Sequence, residues 1–210
     1  MKIAIIGAGI SGCTAYLLLK KHLPKALDAE DHSITIYEAY DTNKDTTYVE
    51  RGQGPTHSST LIVGGGLGVG PNGLNVIKRL DEDLLRDIVR GGYVVSTMIM
   101  KSKNGTVLVR TQPAGDPESD KVADRNMHMV SSSRHSLWKC LRERIPDDAI
   151  VTKRVSAVVA NPSGPNTVSF VDGSPSVEVD LVIGADGLKR SAKRALFPEV
   201  KEDPFPPHYE

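Results

Sequence analysis

The sequence predicts an α/β protein built on a parallel sheet, and three observations near its start carry that prediction. Lys2–Gly7 is a short apolar run, rich in isoleucine and ending in glycine, the pattern of a strand buried on both faces. Ile10–His22 follows at once with helical spacing, Ala15, Leu18, Leu19 and Leu23 sharing one face. Ser33–Ala39 (SITIYEA) is then a second β-branched run. Strand, helix and strand in close succession make a crossover, and such crossovers are right-handed in almost all proteins.

Pro24 stops the first helix, and Asp28–His32 reads as a polar loop. Asp41–Pro71 is irregular, rich in Gly, Thr and Ser, and contains GGGLGVG at 64–70. A loop of that length inside a domain is more often functional than idle. Asn72–Arg90 predicts one helix, with Leu74, Ile77, Leu80, Leu84, Leu85 and Ile88 at helical spacing. Tyr93–Lys101 and Thr106–Thr111 predict two strands of a hairpin turning at Asn104-Gly105. Ala114–Arg125 is a charged loop. Ser136–Ile145 predicts a helix that buries Leu137, Trp138 and Leu141 and is closed by Pro146. Three strands follow, Ile150–Ala160, Thr167–Phe170 and Val177–Ile183. The last runs into Gly184-Ala185-Asp186-Gly187 and a basic helix, Ser191–Leu196.

Composition narrows the function. The 26 Lys and Arg balance 26 Asp and Glu, so no excess charge draws the chain to nucleic acid or an anionic membrane. No apolar run reaches the roughly 18–20 residues that span a bilayer, and the apolar start is too short for a signal peptide. Cys13 and Cys140 are the only cysteines, which suggests neither a disulfide framework nor a metal cluster. His57, His128 and His135 share no ligand spacing. A cytoplasmic, reducing setting is the expectation.

Gly7-Ala8-Gly9-Ile10-Ser11-Gly12 is a GxGxxG string placed between the first strand and the first helix. That context makes it a dinucleotide fingerprint, and the framework Rossmann-like. Gly7 permits the tight turn, Gly9 admits a pyrophosphate where a Cβ would intrude, and Gly12 lets helix and strand approach. The phosphates then meet free N–H groups at the positive end of the helix dipole. Glu38 ends the second strand, where a carboxylate accepts hydrogen bonds from the ribose of an adenosine and repels a 2′-phosphate. The fingerprint by itself leaves FAD and NAD open.

Four segments in one order carry a resemblance: the fingerprint, Gly64–Leu74 (GGGLGVGPNGL), Ser133-Arg134-His135-Ser136-Leu137, and Asp180–Gly187 (DLVIGADG). Together they resemble the single-component flavoprotein aromatic hydroxylases, the group that includes para-hydroxybenzoate and salicylate hydroxylases. The resemblance implies FAD as cofactor and NAD(P)H as co-substrate. It also implies oxygen insertion into an aromatic or related small molecule. By it, Gly64 and Gly66 lie in the segment facing the flavin and ribityl chain, and Arg134 reaches the ribityl and pyrophosphate region. Asp186 and Gly187 match the DG motif that positions FAD and receives NAD(P)H.

The family's serine and arginine, four and seven residues after that aspartate, are replaced by Arg190 and Lys193, with Ser191 and Arg194 one place later. The family's later Gly-Asp motif is missing from these 210 residues. The chain therefore reads as the first half of such an enzyme, needing a C-terminal half or a second chain. The expected division is an FAD-binding domain over 1–91 and 128–203, strands of a partial substrate layer over 92–127, and a tail over 204–210. No residue reads as a general acid or base. A non-catalytic nucleotide-binding fragment and a dehydrogenase or oxidase of the same fold are the alternatives.

Overall fold

In chain order the elements are β1 (Lys2–Ile6), α1 (Ile10–His22), β2 (Ser33–Glu38), β3 (Gly66–Val69), α2 (Pro71–Leu80), α3 (Glu82–Arg90), β4 (Tyr93–Val95), β5 (Met98–Lys101) and β6 (Val107–Thr111). There follow β7 (Met129–Ser133), α4 (Arg134–Arg142), a 3-10 turn at Asp147–Ala149, β8 (Ile150–Thr152), β9 (Val155–Val159), β10 (Asn166–Phe170), β11 (Val177–Val179), β12 (Leu181–Gly184) and α5 (Ser191–Leu196). This computed structural model describes residues 1–25, 32–43, 65–95, 97–111, 129–187 and 191–197. The chain divides into two units, Met1–Ser58 with Arg142–Glu210, and Ser59–Leu141.

The first unit is built on a four-stranded sheet ordered β12-β1-β2-β8, with every pairing parallel. This bears out the α/β, parallel-sheet prediction. Ile3, Ala4, Ile5 and Ile6 are all buried, as a central parallel strand covered on both faces requires. Helix α1 spans the predicted residues, but its buried face is Gly12, Cys13 and Tyr16. Ala15, Leu18, Leu19 and Leu23 are only half-buried. The small residues decide the face, because they allow α1 to approach β1 closely at its first turn.

A second, antiparallel sheet in this unit has the order β11-β10-β9. Ala4, Val168, Phe170 and Val179 pack in one core cluster, with Tyr37, Val155, Val177 and Val182 against it. Two predicted strands are each divided between the two sheets. Ile150–Ala160 breaks after Thr152, and Val177–Ile183 breaks at Asp180. There Asp180 N–H donates to the Lys2 carbonyl at 2.9 Å, and its Oδ2 accepts Lys2 N–H at 2.6 Å. Asp180 thus turns the chain from one sheet into the other.

In the second unit β3, β7 and β4 form an antiparallel sheet. The glycine-rich 66–69, expected to be irregular, is a strand registered on Ser133–Val130. The helix predicted over Asn72–Arg90 is two helices, because Asp81 accepts hydrogen bonds from Asp83 N–H (2.7 Å) and Leu84 N–H (3.1 Å) and starts a new one. Likewise the Tyr93–Lys101 run divides, β4 pairing with β7 and β5 with β6. The predicted hairpin turn is present, with Gly105 at φ 86°. Met98, Ile99, Met100, Val107, Leu108 and Val109 are all exposed on that hairpin. Leu137, Trp138 and Leu141 of α4 are buried as expected. The loops expected at Asp28–His32 and Ala114–Arg125 lie wholly or almost wholly outside the described residues.

A candidate dinucleotide site at the head of α1

Four features of the first unit converge on the turn between β1 and α1. Gly7 sits in the left-handed region at φ 102°, which favours glycine. A Cβ there would lie 2.6 Å from the Ala185 carbonyl oxygen and 3.3 Å from Asp186 Cα. The parallel pairing of β1 with β12 explains this, since it carries the chain from Gly184 directly past Gly7, with Ala185 N–H donating to the Ile6 carbonyl at 2.9 Å. Gly12 serves the packing role read from the sequence: a Cβ on it would overlap the Gly7 carbonyl oxygen.

Gly9 differs from both. It is the N-cap of α1, makes no side-chain cap hydrogen bond, and is followed by no acidic residue in the first turn. A Cβ built on it meets nothing within 4 Å. The open space and uncapped N–H groups at the head of a 13-residue helix are what a pyrophosphate requires. Ile10 and Ser11 open that helix, Ser11 being exposed.

Glu38 closes the other side. Its Oε2 accepts Ala8 N–H at 2.6 Å, and its Oε1 accepts Tyr40 N–H at 3.2 Å. The two strand ends meet because β1 and β2 pair in parallel, Ile6 opposite Tyr37. Asp186 Oδ2 accepts a long 3.5 Å bond from Ala192 N–H in the first turn of α5. Gly187 adopts φ 85°. Gly7–Gly12, Glu38, Asp186 and Gly187 are therefore gathered in one unit.

The remaining candidates fall in the second unit. Gly66 stands opposite Ser133, and Arg134 N–H donates to the Gly65 carbonyl at 3.1 Å. Ser133 Oγ accepts Ser136 N–H at 3.0 Å, so Arg134 is the first residue of α4 and not a residue ahead of it. Its side chain is exposed. Gly64 lies outside the described residues. Antiparallel pairing of β3 with β7 thus brings the glycine segment and Arg134 side by side, across more than sixty positions of sequence.

Two residues were passed over in the sequence. Arg142, an unremarked position within the predicted helix Ser136–Ile145, is buried. Its acceptors include Thr42 and Asn43, about a hundred positions upstream, so no local pattern could reveal it. Cys13 is fully buried and donates its S–H to the Ala8 carbonyl at 3.3 Å. Burial pushes its thiol up to about 12, against a smaller downward pull from Arg142. The fold holds the neutral thiol, so its contribution to stability is complete below the ordinary value of 9.0 and is lost as pH climbs toward about 12. Unfolding followed across that window should show a decline of up to about 1.4 kcal/mol per pH unit that Cys13→Ala flattens. An equally steep decline in Cys13→Ala would assign it to other groups.

No family model matches the chain. Over 198 residues, 93% of its length, the chain is 27% identical to a 3-amino-4-hydroxybenzoate 2-monooxygenase of Streptomyces cremeus, of which it spans 42%. Its fold is similar to that of a Photorhabdus luminescens subsp. laumondii TTO1 protein assigned as an FAD-containing monooxygenase, with a TM-score of 0.65 and 19% identity over 95% of this chain and 43% of that one. It is also similar to Klebsiella pneumoniae HpxO solved with FAD and uric acid, with a TM-score of 0.62 and 23% identity over 92% of this chain and 41% of that one. The chain thus spans well under half the length of the proteins it matches. Among the described residues no helix is long and apolar enough to cross a membrane. In sequence and in fold, the chain resembles the FAD-dependent monooxygenases over the part of them that it spans.

Proposed function

We propose that the chain holds FAD by its ADP half, as the cofactor-binding part of a monooxygenase that uses NAD(P)H and oxygen to hydroxylate an aromatic or related small molecule. The observation that carries this reading is the meeting of open Gly9, the uncapped head of α1 and the Glu38 carboxylate at one turn. The flavin supplies the redox chemistry when bound. The chain's own residues bind and orient. The N–H groups of Gly9–Gly12 take the pyrophosphate, and Glu38 accepts hydrogen bonds from the ribose hydroxyls. Asp186 and Gly187 border the same turn. The resemblance extends the cofactor set to Gly64, Gly66 and Arg134, and the domain division to 1–91 with 128–203, leaving 92–127 to the substrate side.

The activity further requires a substrate-covering part, contributed by additional chain or by a partner. We place the contact surface for it on β5 and β6, whose apolar side chains are exposed. The final strands do not supply it, because Val168, Phe170 and Val179 are buried in the core cluster. Contiguous exposed apolar area of this kind marks interaction surfaces.

Flavin fluorescence quenching tests the cofactor assignment. FAD should bind in clear preference to FMN, which lacks the adenosine. Glu38→Ala should weaken FAD by about 1.5–3 kcal/mol, the range for hydrogen bonds to a charged group, and leave FMN unchanged. Equal affinity for the two flavins in the unaltered protein would remove Glu38 from the role assigned to it.

A further inference from the structure

The Arg142 side chain donates to four acceptors among the described residues of the first unit. Its Nε donates to Thr42 Oγ1 at 2.9 Å and its Nη1 to the Ile145 carbonyl at 2.9 Å. Its Nη2 donates to Asn43 Oδ1 at 3.0 Å and Asp147 Oδ1 at 2.5 Å. The Arg142 side chain is only 9% exposed, whereas its ion-pair partner Asp147 is 73% exposed. Burying a guanidinium is costly, and an exposed partner does little to offset it. The ion pair alone is thus a poor account of why an arginine stands here.

The destination of the other bonds gives a better account. Thr42 and Asn43 belong to the stretch that leaves the end of β2 immediately after Glu38. In that stretch Tyr40 N–H donates to Glu38 Oε1 at 3.2 Å, and Asn43 N–H donates to Asp41 Oδ1 at 3.0 Å. Arg154 lies over the Tyr40 ring, 5.2 Å from its centroid. Two short local turns therefore join the residues Arg142 clamps to the oxygen of Glu38 that does not face Ala8. A rigid fork of donors suits such a clamp, because it fixes two acceptors on one segment at once.

We infer that Arg142 is a positioning residue for nucleotide selectivity: by clamping Thr42 and Asn43 it holds Glu38 where its carboxylate reads the ribose of the adenosine. This rests on the ribose role of Glu38 proposed above. The probes are ADP and 2′-deoxy-ADP, which differ by one ribose hydroxyl, with Tm measured in parallel.

The unaltered protein should prefer ADP by about tenfold or more, the discrimination of one hydrogen bond to a charged group. Glu38→Gln should remove most of that preference. Arg142→Met should do the same, adding little when combined with Glu38→Gln, and Arg142→Lys should restore only part of it. Thr42→Val combined with Asn43→Ala cuts the clamp from its exposed end and should reproduce the loss, which decides the matter if Arg142→Met does not fold. If Tm falls in these clamp variants while the preference for ADP is kept, Arg142 is structural only and the inference fails. If the unaltered protein shows no preference for ADP, or Glu38→Gln keeps it, the ribose role of Glu38 falls and the inference with it.

Discussion

Gly9→Val is expected to leave the fold intact and to weaken FAD binding more than a hundredfold. The first half of that expectation follows from the space around the residue. Gly9 has φ −71° and ψ −175°, a conformation open to any L-residue, and a Cβ there touches nothing within 4 Å. The second half follows from what that space is for. A branched side chain at the N-cap fills the approach to the first-turn N–H groups of α1, which no cap bond occupies. Each charge-assisted bond to a phosphate oxygen contributes about 1.5–3 kcal/mol, so the loss of two exceeds the roughly 2.7 kcal/mol of a hundredfold change. Flavin titration beside a thermal melt checks both halves. Unchanged FAD affinity in a folded Gly9→Val protein would move the pyrophosphate away from the head of α1.

The elements that could be read in the sequence are those whose determinants are local. Helix α1 and helix α5 start and stop where predicted, and the Asn104-Gly105 turn joins β5 to β6 because Gly105 takes the positive φ that turn demands. The misread elements share one cause. In VEVDLVI at 177–183 the apolar pattern runs on, while sheet membership changes at Asp180 through bonds to Lys2. Periodicity reports that residues are buried, not which sheet buries them. The site divides in the same way. The glycines and Glu38 were legible because spacing along a crossover sets their positions. The seat of Asp186 against Gly7 was not, since it depends on β12 pairing with β1 across nearly the full length of the chain. Arg142 left no trace at all, because its clamp joins positions 42 and 142.

Gly12→Ala should destabilise the fold as Gly9→Val does not, although the two residues stand three apart in one motif. A Cβ on Gly12 would overlap the Gly7 carbonyl oxygen and lie 3.4 Å from Ala185 Cβ. The obstacle is backbone, so no rotamer change relieves it, and α1 has to move off β1. That movement opens the packing of Cys13 and Tyr16, both buried on the same helix face. It also shifts the Gly7 carbonyl that Gly12 overlies, and with it the turn bearing Ala8, whose N–H donates to Glu38 at the end of β2. Where helix and strand stand further apart, alanine is accepted at this place in the fingerprint; here the contact excludes it. Overpacking of this severity costs about 3 kcal/mol or more, which lowers Tm by roughly 6–12 °C in a chain of this size. Calorimetry or circular dichroism on the purified variant measures it. The loss of FAD affinity should then accompany the loss of stability, whereas in Gly9→Val the two are separate. A Gly12→Ala protein that melts with the unaltered chain would mean that α1 and β1 are not in the close contact through which this turn is built.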